Sequence, residues 1–121
     1  KALNNYVSAA GLLASMQALA TAESFGIAPK TFAKVINGST GRNNTTEVKL
    51  EPFIISRRYD SGFFLRLMAK DVGIASSLIK NAGFDAPITT ALNEYLESAV
   101  DHLGEDADHT GLYEMVNPVK S

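Results

Sequence analysis

The chain has 121 residues, of which 45% are hydrophobic and 20% charged, the ordinary balance of one globular domain with a hydrophobic core. Its 11 basic and 13 acidic residues give a net charge of −2, which excludes a general affinity for nucleic acid or anionic membranes, and no apolar stretch is long enough to cross a bilayer. The chain contains no cysteine, which excludes disulfides and cysteine metal sites and makes a reducing cytoplasm the simplest location.

The first 25 residues predict one long helix, rich in Ala and Leu, that ends at Gly26. Its apolar residues lie around much of the circumference, which indicates a central helix covered by the others. No capping residue and no initiating methionine precede Lys1. We therefore interpret the chain as a fragment of a longer protein, cut inside or just at the start of a helix.

Shorter helices are expected to follow the first. Pro29 begins one that ends at Asn37-Gly38, and residues 38–44 have the composition of a loop. A further short helix is predicted for residues 45–57, kinked or interrupted near Pro52.

The second half of the chain repeats this helical pattern. One helix is expected to begin at residue 63 or 64 and end before Gly83, and another to run from Pro87 to Gly104. Asp108 can cap a last short helix. No segment alternates like a β-strand, so the sequence predicts an all-α fold, a multi-helix bundle around the long N-terminal helix.

The opening residues, Lys1-Ala2-Leu3-Asn4-Asn5, combine polar groups with an apolar helix. Residues one and five of a helix share a face, so Lys1 and Asn5 are expected to project side by side. The ammonium of Lys1 can give or take a proton, whereas the amide of Asn5 can only hold a partner in place. For a lysine taken alone, a solvated helix end is the better interpretation, so the pair needs support from a second motif.

That support comes from two further segments. They are Asn37-Gly38-Ser39-Thr40-Gly41-Arg42 and Gly62-Phe63-Phe64-Leu65-Arg66-Leu67-Met68-Ala69-Lys70-Asp71. In this order and spacing the three pieces resemble the C-terminal domain of the β-hydroxyacid dehydrogenases, the family of 3-hydroxyisobutyrate dehydrogenase and tartronate semialdehyde reductase, with a helical domain similar to that of 6-phosphogluconate dehydrogenase. The Gly-Phe-x-x-x-Leu-Met-x-Lys-Asp stretch is the specific part, and the resemblance covers nearly the whole chain.

The resemblance implies an enzyme that uses NAD or NADP to interconvert a short 3-hydroxy acid and its semialdehyde. Lys1 would be the catalytic lysine, moving the proton of the substrate oxygen and stabilising its developing charge. Asn5, with Asn4 beside it, would hold the substrate. A lysine working near neutral pH would be favoured by a pKa lowered through desolvation or a neighbouring cation.

The same resemblance places Phe63, Lys70 and Asp71 at the cofactor, near its nicotinamide side. Arg42, in a loop rich in Gly, Ser, Thr and Asn, could clamp a substrate carboxylate. The structural alternatives stay open: Phe63 as a core residue, Lys70 extending to solvent, Asp71 paired with a nearby cation, and the loop as an ordinary turn. His102 and His109 lack the spacing of metal ligands, so no metal site is expected.

A dehydrogenase also needs a dinucleotide-binding fold, and the sequence contains no Gly-x-Gly-x-x-Gly motif. The resemblance therefore implies that residues 1–121 are the helical catalytic and dimerisation domain of a parent protein, a fragment without its N-terminal Rossmann domain and inactive alone. Its partners would be a hydroxy acid, that Rossmann domain and further subunits in a homodimer or tetramer. The competing hypothesis is a non-catalytic helical dimerisation module.

Overall fold

The computed structural model describes residues 1–119, and within them the fold is all-α, as predicted. Five α-helices form the framework, together with one π-helix and one 3₁₀ turn. In chain order they are α1 (Ala2–Ser24), α2 (Pro29–Asn37), the π-helix (Thr45–Ile55), α3 (Leu65–Asn81), α4 (Pro87–Leu103), the 3₁₀ turn (His109–Leu112) and α5 (Tyr113–Val116).

Helix α1 runs through the bundle and packs against α2, α3, α5 and the π-helix. Its fully buried side chains Leu12, Met16 and Leu19 recur every three or four residues, the spacing that keeps one face of a helix toward the core. The opposite face near the N-terminus stays open, since Leu3 is 51% exposed and Val7 67%. Helix α1 is therefore central to the bundle, as predicted, but the other helices do not cover it at Leu3 and Val7.

The segment predicted as a helix near Pro52 is helical but wound more widely than an α-helix. Proline has no amide hydrogen and its ring crowds the preceding turn, so regular α-helical hydrogen bonding is broken there. Asn43 begins the segment, because its side-chain oxygen accepts hydrogen bonds from the backbone amides of Thr45 and Thr46. Leu50 and Ile54 anchor the segment in the core with no solvent exposure.

Helices α3 and α4 pack against each other, and α3 also packs against α1. Both end where predicted, at glycines with left-handed φ angles of 89° for Gly83 and 101° for Gly104. Helix α3 begins at Leu65, slightly later than the predicted start. The delay arises because the preceding backbone is extended and pairs with the C-terminal segment, where Leu65 donates to Ala107 and His109 donates to Phe63.

Candidate active site

The predicted catalytic pair meets a carboxylate on α3. The amide nitrogen of Asn5 lies 2.5 Å from Oδ2 of Asp71, and the amine of Lys1 lies 3.7 Å from the same oxygen. Asp71 is only 6% exposed, and it faces α1 from the second turn of α3. The structure therefore brings together Lys1, Asn5 and Asp71, residues separated by up to 70 positions in the sequence.

The surroundings of Lys1 differ from the expectation of a desolvated amine beside a cation. Its side chain is 82% exposed in this chain, and the charge beside it is the carboxylate of Asp71. An opposite charge at this distance attracts the ammonium. Asp71 thus contacts both Lys1 and Asn5.

A cavity of about 400 Å³ lies next to this cluster, and Asn5 belongs to both. The cavity is enclosed by α1, the π-helix, the start of α3 and the 3₁₀ turn. Its lining includes Asn5, Ser8, Lys49, Ser61, Phe63 and His109. Asn5, predicted to hold the substrate, and Phe63, predicted to contact the cofactor, therefore line the same cavity, and Lys1 reaches it only through the contact that it shares with Asn5 on Asp71.

Asp108 fixes the wall of this cavity. Its Oδ1 accepts hydrogen bonds from the hydroxyl of Ser61 and the backbone amides of Gly62 and Phe63. Its Oδ2 accepts from the amide and the hydroxyl of Thr110, which makes Asp108 the N-cap of the 3₁₀ turn, as predicted. Although burial alone raises the pKa of Asp108, these hydrogen bonds together lower it below its ordinary value.

His109 is 1% exposed and stacks edge-on against Phe63, with ring centroids 5.4 Å apart. Its Nδ1 lies 3.1 Å from the carbonyl oxygen of Phe63, and because a carbonyl only accepts, Nδ1 carries the hydrogen. Burial lowers the pKa of His109, and the positive charge of Lys49 lowers it further. His109 is therefore a neutral residue that holds Phe63 in place.

Asn4 and Arg42 lie apart from this cavity. Asn4 is exposed, contacts the Asn5 side chain at 3.4 Å and lines a smaller depression of about 190 Å³ together with Ser8 and Asn44. Arg42 is also exposed and donates to the carbonyl of Ser39, 2.9 Å away within its own loop. The loop thus reaches the side of α1 that carries Asn4, with Arg42 turned back on the loop itself.

Lys70 occupies a different surface from its neighbour Asp71. It is exposed and lines a depression between α3 and α4, beside Glu97 and Asp101. Successive residues of a helix point about 100° apart, so Asp71 faces α1 while Lys70 faces α4. The structure does not bring Lys70 together with Phe63, and its cofactor role stays a prediction.

The sequence interpretation gave no site role to four polar residues of the cavity, Ser8, Lys49, Ser61 and His109. Ser8 follows Lys1 and Asn5 at helical spacing and could have been found from that pattern. Lys49 could not, because the π-helix changes which of its side chains turn inward.

Within residues 1–119 no group of three His, Asp or Glu side chains is arranged to hold a metal ion. The same residues contain no helix with the length and apolar content of a membrane span.

Comparison with known families decides the relationship. The sequence model of one family, described as the NAD-binding part of NADP-dependent 3-hydroxyisobutyrate dehydrogenase, matches residues 1–116. The chain belongs to this family. The resemblance to β-hydroxyacid dehydrogenases seen in the sequence motifs is thereby confirmed.

Curated relatives in this 3-hydroxyisobutyrate dehydrogenase family are named after several different substrates. A probable mitochondrial 3-hydroxyisobutyrate dehydrogenase of Arabidopsis thaliana is 29% identical over 93% of the chain. The 2-(hydroxymethyl)glutarate dehydrogenase of Eubacterium barkeri is 30% identical over 80%, and the NAD-dependent L-serine dehydrogenase of Pseudomonas aeruginosa is 30% identical over 78%. The chain spans about a third of the length of these relatives, 34%, 32% and 34% respectively.

A solved structure shares the fold. It is 3-hydroxyisobutyrate dehydrogenase of Mycobacterium tuberculosis with L-serine, and 97% of this chain superposes on 42% of that protein with a TM-score of 0.84 at 23% identity. The helical arrangement described above is therefore that of a part of a known dehydrogenase.

The residues of the cavity fit the nicotinamide end of a dinucleotide but not its phosphates. The ring of Phe63 offers a flat apolar surface beside the polar side chain of Asn5, which suits a nicotinamide ring. The pyrophosphate of a dinucleotide is typically bound by a Gly-x-Gly-x-x-Gly turn before a helix, and the sequence contains no such motif.

Proposed function

We propose that this chain is the catalytic-lysine part of an NAD(P)-dependent dehydrogenase that interconverts a short 3-hydroxy acid and its semialdehyde. One observation carries the proposal: the amine of Lys1 and the amide of Asn5 converge on a single oxygen of Asp71, and Asn5 also lines the cavity that contains Phe63. A proton-transferring group and a hydrogen-bonding group are thereby held in one orientation beside a ligand-sized space.

Each residue has a distinct part in this proposal. Lys1 removes the proton of the substrate hydroxyl during oxidation and returns it to the carbonyl oxygen during reduction. Asn5 and Asn4 hold the substrate at that oxygen, and Asp71 keeps Lys1 and Asn5 oriented. The cofactor, when bound, supplies hydride transfer, and Phe63 provides the surface against which its nicotinamide lies. Lys70 extends the cofactor contact on the neighbouring surface of α3.

The proposal also specifies the wider assembly. A Rossmann domain elsewhere in the same protein binds most of NAD or NADP, since residues 1–121 carry no dinucleotide fingerprint. The short hydroxy acids in the names of the relatives support the substrate class. A cysteine-free composition suits a cytoplasmic location. Subunits associate as a homodimer or tetramer through the helical domain.

The decisive variant is Lys1→Ala in the protein that contains this chain together with its dinucleotide-binding domain. Loss of the acid–base group should lower kcat about a hundredfold or more with 3-hydroxyisobutyrate or L-serine as substrate. Ethylamine added to the assay should restore part of the activity, because a small primary amine replaces the missing group. Lys80→Ala, an exposed lysine at the end of α3, is the matched control. Unchanged turnover in Lys1→Ala would exclude the catalytic role.

A structural role in association remains the second candidate, and one observation favours it. An apolar depression of about 310 Å³ between α1 and α4 is lined by Leu13, Ile88 and Tyr95, and Ile88 is 64% exposed. If the domain has only a structural role, Ile88→Glu should lower the sedimentation coefficient, and Lys1→Ala should leave turnover unchanged. The catalytic proposal predicts a loss of turnover in Lys1→Ala, so this variant separates the two candidates.

A further inference from the structure

Lys49 is the cation inside the cavity that the proposed function leaves unused. It lies on the inner side of the π-helix, half-buried, and shares the cavity with Asn5, Ser8 and Phe63. Burial lowers the pKa of Lys49, an effect that the distant charge of Asp108 only partly opposes. Placing an ammonium in such a position is unfavourable unless an anion compensates it.

No carboxylate of this chain fills that position in the part of the structure that is described. The ion pairs of residues 1–119 have Lys1, Arg57 and Arg58 as their cations and leave out Lys49. His109 lies 3.7 Å from Asp108 but is neutral. Asp108, the acid that influences Lys49 electrostatically, already accepts hydrogen bonds on both oxygens from Ser61, Thr110 and backbone amides. We therefore expect the counter-ion of Lys49 to be supplied by a ligand and not by this chain.

Ser8 adds a hydrogen-bonding group to the same space. It is half-buried, lines both the large cavity and the smaller depression beside Asn4, and follows Asn5 by three positions on α1. Its hydroxyl forms no side-chain hydrogen bond within the described residues, so it can donate to an incoming anion. An ammonium and a hydroxyl thus face one cavity from two different helices.

We propose that Lys49 binds a carboxylate of the substrate in this cavity, with Ser8 as a second donor. The inference rests on the proposed function, because it takes the hydroxy acid held at Asn5 as the ligand that extends toward Lys49. Arg42, the carboxylate clamp expected from the sequence, is exposed and hydrogen-bonded to its own loop, which leaves Lys49 as the cation facing the cavity. Lys49 is on this view a specificity residue for the acid group of the substrate.

The carboxylate can come from two sources, and kinetics with two substrates distinguishes them. In the protein with its dinucleotide-binding domain, Lys49→Met should raise KM at least tenfold and change kcat less than twofold. If the effect appears with both 3-hydroxyisobutyrate and 2-(hydroxymethyl)glutarate, Lys49 binds the carboxylate that all such acids share. If it appears only with the diacid, Lys49 binds the distal carboxylate. Lys30→Met, an exposed lysine on α2, is the matched control.

A turnover-independent measurement separates this inference from the proposed function. Calorimetric titration with 3-hydroxyisobutyrate and with glutarate should show at least tenfold weaker binding of one or both to Lys49→Met than to the wild type. Lys49→Arg should retain most of the affinity, since it keeps the charge, and Lys49→Gln serves if the Met variant misfolds. Equal affinity and equal KM for every ligand in the Lys49 variants would overturn the inference. Full activity of Lys1→Ala together with weakened binding to Lys49→Met would overturn only the catalytic role of Lys1.

Discussion

Asp71, which is buried, and Asp108, which is half-buried, both lie beside the candidate site, but they differ in how their oxygens are used. Asp108 accepts hydrogen bonds on both oxygens from Ser61, Thr110 and the backbone between α3 and the π-helix. Asp71 receives two groups on Oδ2 alone, the amide of Asn5 and the amine of Lys1. A carboxylate saturated by backbone and hydroxyl donors holds the chain together, whereas one that faces a lysine and an amide orients reactive groups.

The largest expected effect is on stability, and it comes from changing Asp108, whose two oxygens both accept hydrogen bonds. Asp108→Asn replaces one acceptor oxygen by an NH₂ group that faces existing donors, which should lower the free energy of unfolding by about 3 kcal/mol. Urea denaturation of the variant and of Asp106→Asn, an exposed neighbour, would measure the difference. Equal stability of the two variants would remove the distinction between the aspartates.

A smaller effect of another kind is expected from Asp71→Asn. The amide keeps the size of the side chain but loses the charge that attracts Lys1, so kcat should fall about tenfold, which corresponds to ~1.4 kcal/mol in the activation barrier. The free energy of unfolding should change by less than about 1 kcal/mol, since few groups depend on this carboxylate. Steady-state kinetics measures the loss in kcat, and urea denaturation measures the loss in the free energy of unfolding. A variant of Asp71 that loses more stability than activity would contradict the prediction.

The smallest effect concerns pH. Burial and the charge of Lys49 lower the pKa of His109 below 6.5, so the unfolded chain takes up the proton more readily than the folded one. The stability from neutral His109 is complete above the unfolded pKa and declines as the pH falls below it. Between pH 7 and pH 5 the wild type should lose about 1 kcal/mol that His109→Phe does not lose. His102→Gln, which changes the exposed histidine, should behave like the wild type in the same denaturation series.

The helices could be predicted from the sequence because their stop signals are local. Gly26, Gly83 and Gly104 adopt the left-handed backbone that ends a helix, and Pro29 and Pro87 stand at first helical positions. The pairing of Lys1 with Asn5 also followed from helical spacing alone, and Asp108 was recognised as a cap.

Other features depend on contacts between distant segments and could not be predicted in the same way. Asp71 meets Asn5 across 66 positions, and Lys49 lines the cavity from a helix that is wound more widely than an α-helix. The uncovered face of α1 at Val7 was also missed, because an apolar residue in a sequence does not reveal whether its own chain covers it.

The cavity has walls from four separate stretches of the chain, α1, the π-helix, the residues before α3 and the 3₁₀ turn. These stretches come together only in the complete tertiary structure, so a small molecule that occupies the cavity has no comparable affinity for the unfolded chain. By mass action such a molecule shifts the equilibrium toward the native state in proportion to the logarithm of its concentration. The increase in melting temperature that each hydroxy acid causes can therefore rank these compounds by affinity without a catalytic assay.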